Sequence, residues 1–360
     1  MNIAIACSRA SADDLMINEI DIRNYKCFEH LHISNCRRVN VIVGDNGTGK
    51  TALLEAIFLA LGATSELVVR FRQFRGLDGS FRGSSRKIEE ALWRDYFYNL
   101  DLSRTISVGL TGAGAEARSV WINRGQGEFL IPLDSNLPTT VSSAIQFQWK
   151  DHNGKVWSAI PEISATGIKL PETGEDLPDF FFFSANQTYP SADNADRFSA
   201  LNRVKRQKFI EVFTKEYDWI EDLSVESVVG APAIYGTISG VSDKLPITSI
   251  SGGINRVISF LLAMASRVKS VILIDEGENG LFHSHHNAFW ETLLTFSREY
   301  NSQIFLTTHS EEWLESLAVV MNSELDDVAL WRAERVKGVP AIRQFSGKQV
   351  PLGIRSGEVR

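Results

Sequence analysis

Cysteine is scarce in this 360-residue chain: there are three, Cys7, Cys27 and Cys36, and none belongs to a C-x-x-C pair. Neither a disulfide framework nor a zinc knuckle is supported by that pattern. No run of about 18 apolar residues occurs, so no membrane helix is expected. The opening MNIAIACSRASADD has no basic segment ahead of an apolar core, as a secretory signal requires. Basic charge is not in excess, since 37 Lys and Arg against 44 Asp and Glu leave a formal net charge of −7. That argues against a histone-like binder but not against a local basic groove. Internal repeats, low-complexity stretches and sustained heptads are also missing, which removes solenoids and coiled coils. What is present, 44% hydrophobic and 22% charged residues, suits a globular protein with a sizeable core and about two domains. A reducing cytoplasm is the expected location.

The pattern along the chain is α/β at both ends and β in the middle. Residues 17–33 read as two short strands around a turn, and RVNVIVG as a buried β-branched strand. A glycine-rich loop then leads a helix in which Leu53, Leu54, Ile57, Phe58 and Leu61 share helical spacing and Gly62 marks the end. Two amphipathic helical stretches are expected over 66–99. The segments SRTISVGL, RSVWIN, AIQFQW and VWSAI alternate as strands of an antiparallel layer. Phe180 to Phe183 reads as a further buried strand, and Phe198 to Trp219 as one charged helix. After Pro246 come a helix from Asn255 to Lys269, the strand SVILID, a helix from Ser284 to Tyr300, the strand QIFLTT and a helix from Glu311.

The strongest motif is Gly44-Asp45-Asn46-Gly47-Thr48-Gly49-Lys50-Thr51, a full G-x-x-x-x-G-K-[ST] loop between a strand and a helix. Its glycines let backbone N–H groups turn toward phosphate oxygens, and the helix N-terminus adds partial positive charge. Lys50 is expected on the β/γ-phosphates and the Thr51 hydroxyl on Mg²⁺. The apolar run Val271–Ile274 delivers Asp275 and Glu276 to the end of a strand. There Asp275 suits Mg²⁺, and Glu276 suits a general base or a positioner of water. Paired acids after a strand also serve as a solvated end or a helix cap, a reading that weakens when a phosphate loop is in the same chain. Ser251-Gly252-Gly253 opens a helix and taken alone is a plain Ser cap.

In order, these motifs resemble the ABC-type ATPase head. INEIDIRNYKCFEHLHI, GDNGTGKT, SGGINR, ILIDEGENGLFHS and IFLTTHSEEWLESL are most similar to the AAA family ATPases related to the OLD group, and more distantly to RecF- and SMC-type repair ATPases. The likeness covers roughly residues 16–62 and 246–318. It implies an α/β fold, an ABC-type head with two α/β lobes, an antiparallel β-layer and a helical insertion. The divisions would be an extension over 1–15, lobe I over 16–195 with the insertion at about 65–100, a helical connector over 196–245, and lobe II over 246–360.

The resemblance also assigns roles. Ser251, Gly252 and Gly253 would bind the γ-phosphate held by an opposite subunit, and His309 would sense that phosphate. Gln187 would link Mg²⁺ to the attacking water, and Lys26 would reach the nucleotide phosphates. Departures narrow the group. Thr51 and Ser251 stand further apart than in a transporter subunit, and the stretch from Gln187 to Ser251 is too short for an SMC arm. No acid cluster like that of a TOPRIM nuclease follows His309. The implied function is Mg²⁺-dependent ATP hydrolysis in a nucleotide-gated head-to-tail dimer, a sensor in anti-phage defence controlling a separate effector, a nuclease or toxin. A RecF-like DNA-binding repair ATPase is the alternative, and a scaffold that holds ATP with little turnover is a third reading. ATP and Mg²⁺ are the expected cofactors; the expected partners are a second copy or a higher assembly and the effector, with DNA left open and no membrane.

Two further features have bland alternatives. His283, His285 and His286 suggest a metal less than an interface or a helix start. Arg203, Lys205, Arg206 and Lys208, like Arg70, Arg72 and Arg75, suit a solvated helix face better than a DNA contact.

Overall fold

A computed structural model describes residues 17–62, 92–112, 118–125, 141–142, 145–164, 167–169, 179–185, 191–228, 230–321 and 326–359. The extension over 1–15, most of the insertion at 65–100, Gln187 and the arginines at 70, 72 and 75 lie outside them. Of the stretch expected to be helical up to residue 99, only its end is described. It forms two tight 3-10 turns, Arg94–Tyr96 and Tyr98–Leu100.

The two α/β ends of the chain meet in one sheet. Its strand order is Phe180–Phe183, Val271–Ile274, Gln303–Thr307, Val39–Val43, Val328–Val336 and Val339–Ser346. The first five run parallel, and the last closes an antiparallel hairpin. Side chains alternate across it. Val41, Ile272, Ile274 and Leu306 enter one core, while Ile42, Leu273, Phe305 and Trp331 enter the other. A sheet buried on both faces explains why its strands read as continuous apolar runs rather than alternating ones.

On one face lies the helix Lys50–Leu61, and beyond it a second sheet, antiparallel throughout. That sheet runs Phe28–Ile33, Ile17–Tyr25, Ile106–Gly112, Arg118–Arg124, Ile145–Lys150 and Val156–Ala159. Here burial alternates as expected: Val120 and Ile122 are buried while Trp121 is not. Pressed between two sheets, the helix buries all of its residues but Thr51. Trp149 Nε1 donates to the Leu59 carbonyl at 3.2 Å, which ties the last turn to the antiparallel layer.

The other face carries the helices Ser191–Ala200, Arg203–Glu216, Gly252–Ser266, His286–Glu299, Glu311–Val320 and Gln349–Ser356. Three expectations are corrected here. The single helix over 198–219 is two, because Asn202 adopts extended backbone and accepts the Lys205 N–H at 2.9 Å, restarting the helix. The connector expected to be helical through 245 becomes the hairpin Ile220–Val228 and Ala231–Ile238. The helix expected from Asn255 starts at Gly252, since Ser251 caps it.

Candidate functional site

The glycine-rich loop leaves the strand Val39–Val43 and enters the buried helix. Gly44 has φ +137°, and a Cβ there would lie 2.1 Å from the Ala333 carbonyl oxygen of the C-terminal hairpin. Only glycine permits both the backbone and the approach. A Cβ at Gly49 would strike Phe28 and Cys27, so the turn after Tyr25 packs directly on the loop. The Lys50 ammonium, set among backbone groups, donates to the carbonyls of Gly44 at 2.5 Å and Asp45 at 2.9 Å. Burial lowers its pKa, against the nearby negative charges of Asp275, Glu276, Asp45 and Glu278.

Across the sheet, Asp275 stands at the C-terminal end of Val271–Ile274. Thr51 Oγ1 donates to its carboxylate at 3.0 Å, and Thr307 Oγ1 donates at 2.7 Å. Burial pushes the Asp275 carboxyl upward, while the two hydroxyl bonds pull it down; the net direction is up. Thr307 also accepts the Glu276 N–H at 2.8 Å, so one hydroxyl fixes both acids. Sequence reasoning missed Thr307, the last residue of its strand and two places before His309.

Glu276 has φ +49°, in the left-handed region that costs a non-glycine residue about 1–3 kcal/mol unless its surroundings impose it. They do. Beyond the Thr307 bond, Arg256 Nη2 donates to the Glu276 carbonyl at 3.1 Å and to the Asp275 carbonyl at 2.6 Å, and Asn279 Nδ2 holds the Glu276 carboxylate at 2.8 Å. Arg256 Nη1 reaches the Ala185 carbonyl at 3.0 Å, at the end of the Phe180–Phe183 strand. A guanidinium on the Ser251 helix therefore aims both acids. It stood in the SGGINR segment without an assigned role. His309 is half-exposed; its Nδ1 lies 3.1 Å from Glu278 Oε1 and 3.9 Å from Glu276 Oε1.

The structure thus brings Lys50, Thr51, Asp275, Glu276 and His309 together at one end of the parallel strands. Ser251 is placed otherwise. Its Oγ accepts the Ile254 N–H at 3.3 Å as an N-cap, and a Cβ at Gly252 would meet nothing within 4 Å. Lys26 is also placed otherwise. Its turn touches the phosphate loop, but its ammonium is buried in an ion pair with Glu55 of the loop's helix, with the Tyr25 and Tyr96 rings close by. The expectation that Lys26 reaches phosphate gives way, in this structure, to a role fastening that turn to the helix. Arg335, also unforeseen, donates from Nη2 to the Gly47 carbonyl at 3.0 Å and so steadies the tip of the loop.

The histidine trio disperses. His283 lies tilted beside Phe282, His285 lies near Tyr217 and Trp219, and His286 is buried, its pKa lowered by burial. Among the described residues no cluster of three His, Cys, Asp or Glu could hold a metal. Of the basic run, Arg206 caps the carbonyls of Ser199 and Leu201 and Lys205 lies over Tyr300, whereas Arg203 and Lys208 are exposed.

The family described as RecF/RecN/SMC N terminal domain matches residues 16–327. The chain belongs to this family. As a RecF/RecN/SMC-type chain it is 22% identical over 335 residues to a Helicobacter pylori protein named ATP/GTP phosphatase, covering 86% of this chain and 89% of that one. It is 47% identical over 51 residues to the DNA replication and repair protein RecF of Bacillus mycoides, 14% of each chain. The SMC head domain from Thermotoga maritima is similar at a TM-score of 0.45 and 15% identity, covering 92% of this chain and 99% of that one. The fold is α/β, a mainly parallel sheet with an antiparallel layer on one face, in a chain of the RecF/RecN/SMC N terminal domain family. Among the described residues no helix is long and apolar enough to cross a membrane.

Proposed function

We propose that this RecF/SMC-type ATPase works as a head-to-tail dimer closed on two ATP molecules, and that its nucleotide state governs a separate effector protein. One observation carries the reading: Thr51, Asp275 and Thr307 converge in one chain, while the Ser251 hydroxyl bonds only the Ile254 N–H among the described residues and a Cβ at Gly252 would meet nothing within 4 Å. Such a site is half of a whole.

The donors present suit the expected cofactors. A lysine on a glycine-rich helix start fits a triphosphate. Two hard oxygen donors, Thr51 Oγ1 and the Asp275 carboxylate 3.0 Å apart, fit Mg²⁺. Thr51 and Asp275 would hold the Mg²⁺, which would supply positive charge against the phosphates. Lys50 would exchange its two carbonyl partners for anionic phosphate oxygens. Glu276, held by Thr307, Arg256 and Asn279, would orient the attacking water and take its proton at a carboxylate oxygen. His309, between Glu276 and the phosphate loop, would register the γ-phosphate. Ser251 of the second copy would complete the site, so that contacts made only with γ-phosphate shift the equilibrium toward the closed dimer. Gln187 would join Mg²⁺ to the water, as the motif order implies.

The resemblance to OLD-related ATPases supports a bacterial anti-phage setting, with a nuclease or toxin as the effector. The RecF similarity favours a second reading, in which ATP gates clamping on duplex DNA. The test is purification of tagged Glu276→Gln protein after co-expression with its genomic neighbours, with and without ATP and Mg²⁺. A second chain retained in one nucleotide state is expected. No second chain, together with ATP-strengthened duplex binding that falls steeply with salt, would replace the effector reading by the DNA one.

A further inference from the structure

Glu278 is an acid that the order of motifs leaves without a role. Its side chain is 9% exposed, and one of its oxygens meets the half-exposed His309 twice. Glu278 Oε1 accepts the His309 backbone N–H at 3.0 Å and lies 3.1 Å from Nδ1 of the ring. Backbone keeps the two in register, since the Gly277 N–H bonds the Thr307 carbonyl at 3.0 Å. Glu276 does not compete for the ring. Its Oε1 is 3.9 Å from Nδ1, beyond hydrogen-bond reach, and Asn279 occupies its other oxygen.

The second oxygen of Glu278, Oε2, is buried and has no hydrogen-bond partner among the described residues. A clamp on the His309 backbone would be served by a neutral amide, without the cost of an unpaired buried carboxylate oxygen. The ring beside it gives the charge a use. An ionised carboxylate only accepts hydrogen bonds, so the nitrogen facing it must carry a proton, and a neutral imidazole has a single N–H. With that proton on Nδ1, Nε2 presents a lone pair, which an anionic phosphate oxygen repels.

We propose that Glu278 is a positioning residue for His309: it fixes the proton of the neutral ring on Nδ1, so that Nε2 donates to the γ-phosphate only when the ring carries a second proton. The inference rests on the reading in which His309 registers the γ-phosphate, and adds that this contact is gated by pH. The charged groups around the ring are Glu276 and Glu278 from the loop after Asp275, Asp45 from the phosphate loop, and Glu311 and Glu315 from the helix that follows His309. The C-terminal segment borders the same cavity with the apolar Ile354 and Val359. Lys50 is the cation that feels the Glu278 charge.

The test has two readouts. In nucleotide-free protein labelled with ¹⁵N-histidine, at a pH where the ring is neutral, the signal that vanishes in His309→Gln should carry its proton on Nδ1. A proton on Nε2 overturns the proposal. Steady-state turnover at saturating ATP and Mg²⁺ is then compared at pH 6.5 and 8.5. Glu278→Gln keeps the shape and the acceptor oxygen but not the charge, so a ring beside it gives up its second proton at lower pH. Its turnover should stay within about twofold of the parent at pH 6.5 and fall at least about fivefold below it at pH 8.5. In His309→Gln, whose amide donates at every pH, adding Glu278→Gln should leave the ratio of the two rates unaltered. A ratio lowered equally in that background would assign the effect to Lys50 and overturn the proposal, as would Glu278→Gln turnover equal to the parent's at both pH values. Turnover of His309→Gln equal to the parent's at both would overturn the reading of His309 as the γ-phosphate sensor, whatever the ¹⁵N signal shows.

Discussion

The two parts of the proposed nucleotide site, one around Lys50 and Asp275 and one around Ser251, are built to different standards. Around Lys50 and Asp275, each charged group is already held by its own chain: the ammonium by two carbonyls, Asp275 by two hydroxyls, Glu276 by partners on its N–H, carbonyl and carboxylate. Around Ser251, the hydroxyl bonds only its own helix among the described residues, and the neighbouring Phe282 is exposed. Groups that act within one chain can be preorganised by it. Groups that act on another chain must be left available, at a cost in exposed apolar surface. Arg256 joins the halves, since it lies on the Ser251 helix yet grips the carbonyls of both acids. In the proposed head-to-tail dimer, closure at Ser251 would reach Glu276 through that side chain.

That contrast can be broken from either side. The largest effect is expected on the preorganised half: Lys50→Ala should lower steady-state ATP turnover at least about 100-fold with far-UV circular dichroism unchanged. Unchanged turnover would remove Lys50 from the chemistry. Ser251→Arg should be nearly as damaging to turnover yet leave nucleotide affinity of the isolated chain alone. Mixing it with Lys50→Ala chains should restore roughly a quarter of the parent rate, because half the dimers are then mixed and each holds one complete site of two. Absence of any such rescue would place both halves of a working site in one chain.

A smaller loss is expected at Thr307→Val, which keeps the shape and removes the hydroxyl that serves both acids. Stopped-flow hydrolysis should slow about tenfold, with nucleotide affinity changed much less, since the bond aims Glu276 rather than holding phosphate. Smallest is a stability effect of opposite sign. Asp275→Asn removes a buried negative charge whose burial disfavours ionisation, so calorimetry of the nucleotide-free protein should show Tm raised by about 2–4 °C while turnover is lost. A lower Tm would mean that the Thr51 and Thr307 bonds need a charged acceptor.

Local signals made the first half legible. The strand, glycine loop and amphipathic helix over 39–62 are contiguous, and the Asp275 pair follows an apolar run that can only be a buried strand. What escaped was long-range or backbone-directed. Thr307 and Asp275 are 32 positions apart, and Arg256 bonds carbonyls, which every residue carries. The hairpin over 220–238 hid because its first strand, IEDLSVESV, sets three acids among its apolar residues. The C-terminal hairpin escaped too, although Trp331 is fully buried and the hairpin's Ala333 carbonyl shapes the phosphate loop at Gly44. The start of the Ser251 helix was misplaced by three residues because two glycines, poor helix formers, occupy its first turn.

The central claim, that two chains share each nucleotide site, is tested most directly by the native mass of purified Glu276→Gln protein with and without ATP and Mg²⁺. A monomer that becomes a dimer only with ATP is the predicted result. A monomer in both conditions would contradict the shared site and leave Ser251 as a helix cap and nothing more.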